Sequence, residues 1–483
     1  MKIKALCAAL AMLMLFIPLV ACQKMDVSEE GSSNNGNVAV TTAPNGPQEE
    51  EYVIDAVDYG GKDFIILAST VSEEGGRHFS EYGGSLEKDK LNQAIYYRDQ
   101  EIMEKYKINI KINTTVNWNT ELNNSMMSDD LLFHIATPGV SNAVYSLTQS
   151  SVACLDDFPM FDFSRPWWQT GAMKQMEVLG KNYFAMGDIN MLAYDSVPVV
   201  FYNKEVAKIN KFTELHAHVK DGSWDYAKFM EYVAKVTANT NGDDEFGAGD
   251  TFGYAASNYS ALCFTYAGNW CFVEKDADGI PTFKEDQSQF ITFWQKLVTD
   301  HHNPQLIGYG LTEDENMFQE DRLLFSVNML GMTADYRTQD IEYGILPLPK
   351  WTTSQDTYYT FPHQSASTTI CIPRANREYD MTSRIVEDMA YRTHKNVLNY
   401  YIEENLFLKS LDGDKDSYEA LQTVLSNLNC DIFFSYRAGI TDFLRGNMDN
   451  FDINIASKFQ KYKSSIGKQL SGIVAGVMEE SAA

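Results

Sequence analysis

Hydrophobic positions are spread unevenly along this chain, and their spacing predicts where its elements lie. Lys2 and Lys4 precede an apolar run from Ala5 to Val20 that closes on Leu19-Val20-Ala21-Cys22. A basic start, a short apolar stretch and small residues at a cut describe an export signal. The cysteine at the cut offers a sulfur for lipid attachment, so residues 1–21 are expected to leave as a lipoprotein signal peptide and Cys22 to become a lipidated N-terminus. The run holds Pro18 and falls short of the ~20 apolar residues of a membrane span, which argues against an uncleaved anchor. Residues 22–51 are rich in Ser, Asn, Gly, Thr, Pro and acids and nearly free of large apolar side chains, the composition of a disordered tether.

Beyond Tyr52 the pattern becomes that of a folded body. Phe64 to Ser69 reads as a buried strand between Gly60-Gly61 and the turn Glu73-Glu74-Gly75-Gly76. Leu91, Ala94, Ile95, Ile102, Met103 and Tyr106 form a helical stripe, and Ile108 to Ile112 alternates as a second strand. Leu131 to Ala136 is a third apolar run, ended by Thr137-Pro138-Gly139 and followed by a helical stretch. Strand, helix, strand, helix predicts a parallel sheet with helices on its faces. A second unit starts with the strand Val197 to Tyr202 and the helix Trp224 to Val236. Leu323 to Met329 and Thr368 to Ile372 read as two more strands, separated by the turn-rich Ile345-Leu346-Pro347-Leu348-Pro349. From Tyr379 onward only helical patterns remain, the last at about Ile455 to Met478.

Composition narrows the function. With 483 residues, 44% of them hydrophobic and 13% aromatic, the chain can bury a large core, and its length suggests two or three domains. It carries 39 basic and 66 acidic residues, and loss of Lys2 and Lys4 takes the formal charge from -27 to -29. Nucleic-acid binding needs basic patches that are absent here, and the acidity disfavours a strongly anionic solute. Of seven cysteines, Cys154, Cys263, Cys271, Cys371 and Cys430 remain in the body; none forms a CxxC, so they are expected as buried free thiols.

Five segments stand out in order: LNQAIYYRDQEIMEKYKINI (91–110), FSRPWWQTGAMKQMEVLGKNYFAMGDINM (163–191), VPVVFYNKEVAKIN (197–210), DGSWDYAKFMEYVAKVTANTNGDDEFGAGDTFGY (221–254) and YGILPLPKW (343–351). Together they resemble the family 1 extracellular solute-binding proteins, the group of maltose-binding-type ABC-importer lipoproteins. The resemblance implies an α/β, two-lobed periplasmic-binding-protein-like fold of the class II type, with crossing hinge strands and a helical C-terminal region. Lobe 1 is expected at 52–194 plus 326–373 and lobe 2 at 195–325 plus 374–483. A ligand would be trapped as the lobes hinge shut, because contacts made only in the closed state shift the hinge equilibrium.

Ligands of open α/β sheets lie beyond the carboxyl ends of strands. That rule selects Glu73 after the first strand, Thr137 and Gly139 after the third, and Tyr194 with Asp195 at the first crossing. The resemblance adds Asp335, Tyr336 and Arg337 after the strand Leu323 to Met329; the tryptophan that maltose-binding-type proteins carry there is missing, which argues against a maltose-like ligand specifically. Sugars are held by aromatic faces beside planar polar groups, and SNYSALCFTYAGNW (257–270) supplies Tyr259, Tyr266 and Trp270. Each of the three has core packing as its plain alternative. Tyr358, Tyr359 and His363 lie near the second crossing, where His363 reads as structural; Trp167 and Trp168 read as core or lobe surface.

One loop has the spacing of a calcium site. Asn239, Asn241, Asp243 and Asp250 occupy positions 1, 3, 5 and 12 of an EF-hand-like loop, but Asp244 stands where glycine is wanted and Asp250 is shorter than the usual glutamate. A structural calcium and an ordinary acidic loop both remain open; no other cofactor is expected. No GxSxG, HExxH, P-loop or GxGxxG occurs, so an enzyme is not expected. The expected function is extracellular, lipid-anchored capture of a carbohydrate, an oligosaccharide above all, and delivery to ABC permease subunits, by a monomer that touches the membrane through its lipid alone. The alternatives are the same fold with a peptide, a polyamine or another small solute, and an adhesion or assembly lipoprotein with no transport role.

Overall fold

The structure is a computed structural model that describes residues 52–69, 79–311, 314–363, 367–402, 406, 413–428 and 440–481. Cys22, Glu73 and Cys430, three of the residues singled out above, lie outside the described residues, as do the signal and the tether. No helix among the described residues is long and apolar enough to cross a membrane.

Strand β1 (Lys62–Ser69) lies between β2 (Ile108–Thr115) and β3 (Ile135–Ala136), and both pairings are parallel. The central strand of a parallel sheet covered on its faces needs apolar residues on both of them, and Phe64, Ile66, Leu67 and Ala68 of β1 are all buried. The connection to β2 is helix α1 (Lys90–Tyr106), whose start is fixed by Asp89 accepting the N–H of Asn92. Its end is fixed by Lys107 in the left-handed region at φ 50°, with its N–H on the carbonyl of Met103. Leu91, Ile95, Ile102 and Tyr106 form the buried face that the sequence pattern predicts. The third apolar run is strand only at Ile135–Ala136, because that is where the ladder with β1 exists.

The second sheet is mixed. In order it holds β10 (Tyr343–Leu346), β4 (Pro198–Asn203), β9 (Leu323–Met329), β5 (Phe252–Ala256) and β8 (Ile307–Tyr309), while β6 (Val273–Lys275) and β7 (Pro281–Phe283) form a separate hairpin. β4 runs antiparallel to both of its neighbours and all six of its residues are buried. Part of the segment expected as a turn is thus strand: Tyr343–Leu346 pairs with β4 before Pro347 stops the ladder. The expected strand at Thr368 to Ile372 is reduced to single bridges, Gly139 with Thr368, Ala136 with Cys371 and Ala185 with Ile370, which add it to the edge of the first sheet.

The helix Tyr379–Arg392 packs on the first sheet's side, although the expected boundaries give 374–483 to lobe 2. Tyr106 and Lys105 of α1 donate to Asp388 at 2.7 and 2.6 Å, Arg98 donates to Thr393 at 2.9 Å, and Lys62 pairs with Glu378 at 2.7 Å. The last helix, Ile455–Ser481, reaches the same side at Gly476. A Cβ there would stand 1.8 Å from the carbonyl of Leu147, so only glycine allows the contact. One apolar core joins both halves: Leu91 and Ile95 of α1, Leu192 and Tyr194 of the first crossing, and Val199, Phe201, Leu323 and Ile345 of the second sheet belong to a single buried cluster.

Candidate functional site

Two stretches of chain pass between the sheets and run side by side. The outward one is the short helix Met191–Asp195 followed by Ser196 and Val197; the returning one comes back through Tyr358 to Thr368. Thr360 donates its hydroxyl to the carbonyl of Pro198 at 3.0 Å, and the N–H of His363 reaches that of Ser196 at 2.9 Å. Glu81, which is 3% exposed, holds the crossing from the first-sheet side: one carboxylate oxygen accepts the N–H of Leu192 at 2.9 Å and the hydroxyl of Thr368 at 2.7 Å.

The second sheet contributes the aromatic wall. β5 ends at Ala256, and Ser257 then starts the helix Asn258–Ala267 through a reciprocal capping box with Ser260. That cap sets Tyr259 in the first turn and Tyr266 two turns on, on the same face. Both rings meet the returning crossing, Tyr259 against His363 at 5.2 Å and Tyr266 against Phe361 at 5.2 Å. The N–H of Ser367 bonds the carbonyl of His363 at 2.8 Å. Two hydroxyls beside His363, those of Tyr259 and Ser367, are buried and have no hydrogen-bond partner among the described residues. A buried polar group is nearly always bonded, so these two hydroxyls, one on the helix and one on the returning crossing, are candidates to bond a ligand.

Tyr194 and Asp195 sit at the same crossing, in bonds of their own. The Tyr194 hydroxyl donates to Asp188, whose other oxygen is 2.5 Å from Nδ1 of His394. The Tyr401 hydroxyl donates to Asp195 at 2.5 Å, and the rings of Tyr194 and Tyr401 stack at 6.3 Å. Burial, reinforced by these carboxylates, pushes both phenols well above their ordinary range, so they stay neutral donors. Thr137 and Gly139 lie at the first-sheet side: Thr137 donates its N–H to Leu67 at 2.9 Å and Gly139 bridges to Thr368.

The remaining expectations fall elsewhere. Trp270 is beyond the far end of the helix that begins beside Tyr259, ~15 Å along its axis. There it packs on Phe290 and Phe293, with its buried indole N–H unpartnered among the described residues. Tyr336 is a correction: it is 0% exposed, its hydroxyl is 3.1 Å from that of Ser326, and Phe201, Phe318 and Tyr343 surround its ring. The helix Met332–Thr338 turns it into the core and leaves Arg337 exposed and Asp335 half-buried.

In the acidic loop, Asp250 is fully buried and accepts three backbone N–H groups, from Thr240 at 2.8 Å, Asn241 at 3.1 Å and Gly247 at 2.9 Å. Burial alone would raise its pKa; the three amides and Arg322 outweigh that and hold it below the ordinary carboxylate range. Asn239 and Asn241 meanwhile donate to the carbonyl and the carboxylate of Asp243, each at 2.8 Å. With amide hydrogens aimed at both oxygens of Asp250, the residues present do not converge on a cation, and the described residues include no group of three or more His, Cys, Asp or Glu set for a metal. Cys154, Cys263 and Cys371 are buried free thiols, and burial pushes Cys154 and Cys263 up to about 12.

Sequence reasoning missed Glu81, Ser367 and His394 at the crossing and read His363 as structural; the aromatic run 257–270 and the strand-end positions Thr137, Gly139, Tyr194 and Asp195 were the signals that pointed there. No protein-family model matches the chain, and no curated protein matches it. Solved structures do. The sugar-binding protein MalE from the phytopathogen Xanthomonas citri is similar over 87% of this chain and 98% of its own, at 10% identity and a TM-score of 0.56. The galacto-N-biose-/lacto-N-biose I-binding protein of the ABC transporter from Bifidobacterium longum, in complex with lacto-N-biose, is similar over 88% and 98%, at 12% identity and 0.55. UgpB from Mycobacterium tuberculosis, in complex with glycerophosphocholine, is similar over 88% and 98%, at 13% identity and 0.51. The chain therefore has the two-lobed α/β fold of the maltose-binding-type, family 1 solute-binding proteins.

Proposed function

We propose that this protein is the capture component of an ABC importer, held outside the cytoplasmic membrane by a lipid on Cys22, and that it binds a carbohydrate where the two crossing segments meet. The observation that carries the reading is the pair of buried hydroxyls of Tyr259 and Ser367 beside His363, which have no partner among the described residues. Hydroxyls both donate and accept, as sugar hydroxyls do, and the Tyr259 ring offers an apolar face for the C–H surface of a pyranose. The likeness to sugar-binding proteins of ABC transporters supports the same class of ligand and a permease as partner. A polyamine is disfavoured, because Asp188 and Asp195 at the crossing already accept from Tyr194, His394 and Tyr401. A polar phosphodiester such as the ligand of the UgpB structure is the second reading that a neighbour supports. The bound state is the closed one, and catalysis has no part in it. For the acidic loop, closure by Asp250 alone is the reading adopted, with calcium as its alternative.

Thermal unfolding of the Cys22→Ala body against neutral oligosaccharides, glycerophosphodiesters, peptides and polyamines tests this. A ligand at 100 times its Kd stabilises the native state by about 2.7 kcal/mol. A shift with an oligosaccharide alone upholds the proposal. A shift with another class keeps the capture role and overturns the carbohydrate, and no shift across the panel favours an adhesion role.

A further inference from the structure

A concavity of about 730 Å3 lies between α1 and the segment that continues the helix Tyr379–Arg392. Gln93 and Tyr97 line it from α1, and Asn396, Asn399 and Tyr400 line it from the other side. Its size falls within the range of about 300–1,000 Å3 usual for small-molecule sites. The far wall is a π-helical turn, Thr393–Val397, a local geometry found mostly where a side chain must be re-aimed for a function. Beyond that turn, Tyr401, 2% exposed, points in to Asp195 at the crossing, while Tyr400, 37% exposed, points out into the groove. Tyr97, 56% exposed, presents a second phenol from the opposite wall.

The groove is also prepared electrically. Arg98 at its floor is 2% exposed and its guanidinium donates to Asp99, to Thr393 and to the carbonyl of Glu81, at 2.7 to 2.9 Å. Glu101 at its end is paired with Arg392. With Arg98 and Glu101 matched inside the protein, two exposed aromatic rings, the side-chain amides of Asn396 and Asn399 and the exposed Lys90 and Lys395, the latter donating to the Tyr391 hydroxyl at 3.0 Å, line the space. Rings that stack on C–H faces, beside planar groups that both donate and accept, suit an uncharged polyhydroxylated ligand.

We propose that this groove is a second saccharide site, one that holds a neutral glycan chain on the outside of the protein independently of whatever the crossing binds. Its openness to solvent suits a polymer that cannot enter a closed cleft. Native gel electrophoresis of the Cys22→Ala body through gels cast with amylopectin, xylan or galactomannan tests it, with a polymer-free gel as reference. At least one polymer is expected to retard the protein. The Tyr97→Ala/Tyr400→Ala double variant should weaken that retardation at least tenfold while keeping its melting midpoint, Tyr97→Phe/Tyr400→Phe should keep most of it, and Ser367→Ala should leave it unchanged. Absence of retardation with all three polymers overturns the proposal, as does retardation that survives the double alanine variant or disappears with Ser367→Ala.

Discussion

Two clusters in this protein bury polar groups among aromatic rings, and they differ in one respect. In the first, Trp167 and Trp168 donate their indole N–H groups to the two oxygens of Glu387 at 3.0 and 3.1 Å, and all three side chains are buried. In the second, Tyr259 meets His363 at the crossing, and the hydroxyls of Tyr259 and Ser367 find no partner among the described residues. The satisfied cluster clamps the segment before the first crossing to the helix Tyr379–Arg392 and has nothing left to offer a ligand. The unsatisfied one has. A cluster whose hydrogen bonds are complete is architectural, and one with hydroxyls to spare can bond a ligand.

The largest effect expected from breaking this contrast is on the clamp. Glu387→Ala leaves two indole donors buried without an acceptor, at about 1–3 kcal/mol each before relaxation. Urea unfolding should show a loss of about 2–4 kcal/mol with ligand affinity of the surviving native protein unchanged. A loss below about 1 kcal/mol would mean that the clamp is dispensable.

The same carboxyl gives a pH signature. Burial raises Glu387 to about 7, above the ~4.3 of an exposed glutamate, so the native state holds its proton over a window in which the unfolded chain does not. The native state then binds more protons, and this group's contribution to stability is complete below about pH 4.3, falls as pH rises toward 7, and is flat above. Buried His301, lowered to about 4, acts in the opposite sense at the acid end, so the informative quantity is the difference between wild type and Glu387→Gln. That difference should change between pH 5 and 7 and level off by pH 8; a constant difference would place the Glu387 pKa outside the window.

At the crossing the expectation inverts. Tyr259→Phe and Ser367→Ala each remove a hydroxyl that has no hydrogen-bond partner among the described residues, so stability should move by less than about 1 kcal/mol. Each should weaken the ligand that the thermal panel identifies by about three- to tenfold, the value of one hydrogen bond. Isothermal titration calorimetry reads it, and equal affinity in both variants would remove the crossing from the site.

The same distinction explains what the sequence made legible. Long periodic segments, α1 and strands β1, β4 and β9, follow from apolar spacing because their own residues bury one face or both. β3 has two residues and the segment 368–373 pairs only through single bridges, so partner strands decide them and local pattern does not. Tyr259 was readable as an aromatic at a capped helix start. Tyr336 was not, because Asp335 and Arg337 beside it suggest exposure while the helix turns the ring under Phe201. Glu81 and Ser367 carry no sequence signal; their meaning comes from what the fold brings to them.

The acidic loop provides the smallest expected effect and tests the contrast from the other side. Its spacing suggested calcium, yet Asp250 is satisfied by three backbone amides in the manner of Glu387, with two oxygens committed and no orphan left over. A carboxylate so engaged already closes the loop, and a cation would have to displace N–H donors that lower its pKa. Addition of excess calcium, or of a chelator, should therefore leave the melting midpoint of the Cys22→Ala body unchanged, whereas Asp250→Ala should lower stability by about 1–3 kcal/mol in either condition. A midpoint that rises with calcium, and a rise that Asp250→Ala abolishes, would move the loop from the satisfied class to the ligand-binding one. In that case the amides now facing Asp250 would have to turn away, and orphan counting would need a cation as well as a solute among the partners that a buried group can await.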